Sequence, residues 1–115
     1  MNAHINHAIH ESWTFDLFGG THHGSLSIKF ADWITLYTLL CESHAPDIER
    51  YWTWGEGDVI HVPETVARQW ADCLASVRDD PHSIHIQGDN AKRVLIARVI
   101  RFINKYGRRD GFFVY

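Results

Sequence analysis

Apolar positions recur along the chain in two rhythms. Trp13, Phe15 and Leu17 alternate with Thr14, Asp16 and Phe18. Period two is the mark of a strand with one buried face. Gly19-Gly20 and Gly24 then punctuate a loop holding Thr21, His22 and His23. Leu26, Ile28 and Phe30 resume the alternation as a returning strand, or else belong to a loop that leads straight into a helix.

From Lys29 to Ser43 the rhythm changes. Phe30, Trp33, Ile34, Tyr37, Leu40 and Cys41 recur at steps of three and four, which builds one helical stripe. Ser27 is the candidate N-cap, and Pro46 helps end the helix by pushing its predecessor out of helical geometry. The stretch 47–62 is less regular. Tyr51 to Trp54 is an aromatic run, Gly55-Glu56-Gly57-Asp58 a turn, and Val59 to Val62 a short extended segment. Pro63 opens a second helix where a missing N–H costs little. Its stripe is Val66, Ala67, Trp70, Ala71, Leu74 and Val77, and Asp79-Asp80-Pro81 stops it. Ser83 to Gln87 reads as a short strand.

Asp89 is the expected N-cap of a third helix over 90–106. Val94, Leu95, Val99, Phe102, Ile103 and Tyr106 form its stripe, widened by Ile96 and Ile100. An exposed apolar face there would make a dimer interface, with Ile96 and Ile100 at its centre. Gly107 ends the helix, and Phe112 to Tyr115 is a β-prone ending that pairs with another short strand. The expected fold is therefore α+β: three main helices packed with a small antiparallel sheet of two to four short strands. Residues 1–12 are expected to form a flexible terminal segment and 13–115 a single globular domain.

Composition adds compartment. The chain has 115 residues and two cysteines, Cys41 and Cys73, neither in a Cys-x-x-Cys pair. Two such thiols make neither a disulfide framework nor a zinc ribbon, and point to the reducing cytoplasm. Met1 to His10 carry no Lys or Arg and no apolar run, unlike a signal peptide. No apolar stretch is long enough for a membrane span.

Charge sharpens the picture further. The formal net charge is −3, but it is unevenly spread. Residues 1–89 hold 4 basic and 13 acidic side chains, a balance of −9, while residues 90–115 hold 7 basic side chains and Asp110, a balance of +6. On helical geometry Arg98, Arg101 and Lys105 share a face. Such a stripe can hold phosphates, which makes nucleic acid one alternative partner. The competing reading is a solvated face paired with the acidic body.

Nine histidines invite a metal reading. His4, His7 and His10 are spaced by three in the terminal segment. His22 and His23 are adjacent on the glycine loop, with His61 or His85 as further ligands. A catalytic zinc needs three protein ligands and an orienting second shell, and no spacing closes such a set. Cys41 and His44 lie one helical turn apart, but no third group is identifiable to orient a base, so Cys41 reads as a structural thiol. Gly55-Glu56-Gly57 lacks the lysine and following helix of a phosphate loop. No catalytic residue and no cofactor is assigned.

The aromatic-acidic run is the favoured site. If it is extended, Trp52 and Trp54 share one face and Tyr51 the other. Tryptophan and tyrosine are frequent interface anchors, and the neighbouring Glu49, Glu56 and Asp58 favour a basic protein partner. The competing reading is that both tryptophans cap the core.

The order of elements also resembles a loose group of small uncharacterised bacterial and phage-borne proteins. The resemblance runs over residues 26–115. It rests on the Phe30–Cys41 helix with its tryptophan, on Ala67-x-x-Trp70-Ala71-x-x-Leu74, and on Val99 to Ile103 followed by Gly111-Phe112-Phe113-Val114-Tyr115. Asp110-Gly111 stands where the group often has two glycines. The resemblance implies a fold and a phage or mobile-element setting, and transfers no catalytic residue. The leading expectation is a small cytoplasmic protein-interaction module, immunity-like or a conflict-system accessory. The alternatives are a metal-binding protein or metal-dependent enzyme, and a nucleic-acid binder.

Overall fold

The computed structural model describes residues 14–19, 24–54, 59–80, 89–107 and 110–114. The alternating segment folds as a hairpin of β1 (Thr14–Phe18) and β2 (Ser25–Lys29), in a register that puts Phe15 opposite Ile28 and Leu17 opposite Leu26. Phe30 does not extend β2. It opens α1 (Phe30–Glu42) directly. β3 (Ile60–Val62) precedes α2 (Glu64–Asp79). Then come α3 (Asn90–Phe102), a π-helical turn over Ile103–Gly107, and β4 (Phe112–Val114). The fold is α+β, with three helices and a four-stranded antiparallel sheet among the described residues.

The sheet order is β2-β1-β4-β3. The last strand in sequence thus lies between β1 and β3, with Phe113 opposite Phe18 on one side and His61 on the other. Strand alternation sorts the side chains. Phe15, Leu17, Ile28, Val62, Phe112 and Val114 are buried, while Thr14, Phe18, Ser25, Ser27, Lys29, His61 and Phe113 are exposed on the outer face. The buried side chains join those of the helices in one core. Its central void is about 10 Å³, too small to hold a ligand.

Several local rules decide the helix ends. Asp89 caps α3 as expected, its carboxylate accepting from Lys92 N at 3.0 Å. Pro63 is the N-cap of α2. Ser27 is not the cap of α1: it belongs to β2 and its hydroxyl donates to Asp16, while Lys29 stands at the cap without a side-chain bond. The C-terminus of α1 closes before Pro46. His44 takes a left-handed φ of 58°, and the N–H groups of His44 and Ala45 bond Cys41 O and Leu40 O. This is a Schellman closure with a histidine where glycine is usual.

The helix faces also differ in part from the expected stripes. On α1 the buried positions are Trp33, Leu36, Leu39 and Leu40, and Ile34 is exposed. This helix is apolar around most of its girth, so periodicity left its orientation open. On α3 Val94 is exposed, and Ile96 and Ile100 are buried within the chain's own core. They are therefore not available as the centre of a dimer interface. Residues 1–13, His22, His23 and the expected strand over 83–87 lie outside the described residues.

Candidate functional site

The favoured site begins just after α1. Asp47 takes a φ of 57°, and its carbonyl accepts from the N–H groups of Arg50 and Tyr51. That turn returns the chain across α1, so Tyr51 to Trp54 lie against its Trp33–Tyr37 side. Trp33 Nε1 donates to Thr53 O at 2.8 Å and pins the segment.

Trp52 and Trp54 separate here. Trp52 is only 8% exposed. Its ring stacks on Trp33 at 3.9 Å between centroids and lies 5.8 Å from Trp70. The expectation that Trp52 is a surface anchor is corrected: the core side of the run has an indole-sized gap between α1 and α2, and Trp52 fills it. Its Nε1 is buried with no hydrogen-bond partner among the described residues. Trp54 is 39% exposed and does stand at the surface. Its ring meets Tyr37 edge-on at 5.0 Å and Trp52 at 6.2 Å. Tyr51 is half-buried, with the Arg50 guanidinium 5.3 Å above its ring. Glu56 and Asp58 lie outside the described residues.

Sequence reading set Glu49 beside this aromatic run but missed Tyr37 as part of the corner. The Tyr37 hydroxyl donates to the Glu49 carboxylate. That bond, and then Cys41 nearby, hold the phenol well above its ordinary pKa. Glu49 stood in the sequence as one of the acids beside the run, with no bonding partner assigned to it. What brings it to Tyr37 is the turn at Asp47, a left-handed position of a residue type that tolerates it.

The alternative sites fare differently. Arg98 and Arg101 are exposed on α3, with Lys105 on the π turn. All three line an open depression of about 250 Å³ beside Ser25 and Tyr106, and Arg101 and Lys105 also line one of about 470 Å³ beside Arg78 and Asn104. Arg78 is paired with Asp79 at 2.8 Å. None of Arg98, Arg101 and Lys105 has an ion-pair partner among the described residues. Lys105 Nζ lies 5.4 Å over the Tyr106 ring.

For the metal reading, the described residues hold no group of three or more metal-ligating side chains. His22, His23 and His85 fall outside them. His61 is exposed, and its Nε2 lies 3.0 Å from Asp110 O. Cys41 and Cys73 are free and half-buried. Among the described residues, no helix is long and apolar enough to cross a membrane. Set against protein-family models, curated proteins and solved structures, the chain matches none.

Proposed function

We propose that the chain is a small protein-interaction module, immunity-like or a conflict-system accessory, that docks a partner protein on the Trp54 corner. The observation carrying this reading is the seating of Trp54. Its indole is 39% exposed, yet braced by Tyr37 and Trp52. A large aromatic already held in place loses little freedom on binding, which is the property of an interface anchor. Glu49 at the same corner, with Glu56 and Asp58 a few residues further on, favours a basic partner surface. The conflict-system setting is proposed on the sequence pattern of residues 26–115 alone.

The test compares wild type with Trp54→Ala in affinity capture from the native host, followed by binding of the purified partner. Loss of about 2 kcal/mol or more of binding energy, with superimposable thermal melts, is the expected result. Equal binding by both proteins would remove Trp54 from the interface and overturn the reading.

A further inference from the structure

Two surfaces that share no residue with the Trp54 corner meet at the edge of the sheet. On the outer face, Phe18 and Phe113 are cross-strand partners, 39% and 36% exposed. His61 stands opposite Phe113 on the next strand, its ring 4.7 Å away. Three ring-bearing side chains thus form a row across β1, β4 and β3, turned away from the core. Opposite Phe18 on the other side is Ser25 of β2. Ser25 also lines the depression of about 250 Å³ that carries Arg98, Arg101 and Lys105. One register position therefore joins the aromatic row to the cationic depression.

We propose that this continuous surface binds single-stranded RNA. Bases stack on Phe18 and Phe113, with His61 at the far end of the row. The backbone crosses the β2 edge, and its phosphates lie against Arg98, Arg101 and Lys105. Stacking rings beside a positive groove are the two elements by which single strands are held without sequence preference. A duplex does not fit this surface, because its base faces are already covered by their neighbours. Charge complementarity is direct: these three cations have no ion-pair partner among the described residues, and nucleic acid supplies the missing anions.

Asp16 distinguishes RNA from DNA. It lies two residues from Phe18 on the same face and accepts from the Ser27 hydroxyl. Its remaining lone pairs repel a phosphate but accept from a ribose 2′-hydroxyl, the group that separates RNA from DNA. The carboxylate thereby also keeps the phosphates on the β2 side of the row.

The experiment is fluorescence anisotropy of the full chain with a labelled oligouridine RNA of ~12 nucleotides. Salt is varied from about 50 to 200 mM. Wild type is expected to bind with a logarithmic salt slope of about −2, and Arg101→Gln to lower its magnitude by about 0.7. Phe18→Ala and Phe113→Ala are each expected to weaken binding about tenfold without changing the slope. Phe18→Tyr keeps the ring and keeps the binding. If an alanine variant unfolds, Phe18→Leu decides, since it retains apolar bulk without a π face: loss of binding supports the proposal and retention overturns it. Absence of binding by wild type, indifference to both phenylalanines, or equal affinity for duplex RNA or for DNA of equal length would each overturn it. Displacement of the RNA by polyglutamate at equal charge concentration would assign the cations to an acidic protein instead.

Discussion

Trp33, Trp52 and Trp70 form one aromatic group between the helices, and Phe18, Phe113 and His61 form another across the outer sheet. The first group is buried, and two of its three indole N–H groups find carbonyls: Trp33 on Thr53 and Trp70 on Pro46. The second lies half in water on positions that strand alternation assigns to polar residues. Both are aromatic, and composition treats them alike. On the sheet, backbone direction decides, because one residue of offset along a strand moves a side chain from core to solvent. Phe112 and Phe113 show this within a single dipeptide: the first is buried and the second exposed.

The contrast breaks most readily at Trp52. Trp52→Ala is expected to cost about 3–5 kcal/mol, and Phe18→Ala less than about 1 kcal/mol. Urea unfolding followed by circular dichroism measures both, and similar costs would erase the distinction. Next comes the hinge that sets β4. Gly111 has a φ of 74°, and a side chain there would run into the Val62 carbonyl. Gly111→Ala should therefore cost about 2–4 kcal/mol by strain and crowding, seen as a lowered midpoint in the same titration.

A finer comparison lies inside the buried group. Trp33→Phe removes a donor from Thr53 O, whereas Trp52→Phe removes an N–H that has no partner among the described residues. Paired unfolding curves should show Trp33→Phe to be the costlier change by about 1 kcal/mol. The smallest effect is alkaline. The phenol of Tyr37 is held above its ordinary pKa, chiefly by donating to Glu49. Its contribution to stability is full below the ordinary tyrosine range and is lost as pH rises through the folded value. Spectrophotometric titration should find one fewer late-ionising tyrosine in Tyr37→Phe, and the mutant's stability should fall less steeply at high pH.

The legible parts of this fold were those decided locally. The stripe of α2 from Val66 to Leu74, the Asp89 cap and the alternation of β1 all follow from neighbours within a few residues. The face of α1 was not legible, because Ile34 and Leu36 are equally apolar and only the packing partners choose between them. Likewise Trp52 and Trp54 share a strand-like spacing, yet the gap beside Trp33 accepts one indole. The outer aromatic row was half visible, since Phe18 breaks the polar side of an alternating strand. Its adjacency to Phe113 depends on sheet order, and pairing between residues so far apart in sequence leaves no local mark.

The place of β4 sets the timetable of folding. Residues 112–114 join the β1–β2 hairpin to β3, yet they follow every other described element in the chain. A nascent chain emerging from the ribosome has its hairpin and helices available first, but no strand to pair β1 with β3. The inner positions Leu17 and Val62 then lack their strand neighbours Val114 and Phe112. Such late, long-range closure slows folding and lengthens the exposure of unpaired edges. The sheet thus closes only through a long-range pairing made by the latest of its described elements.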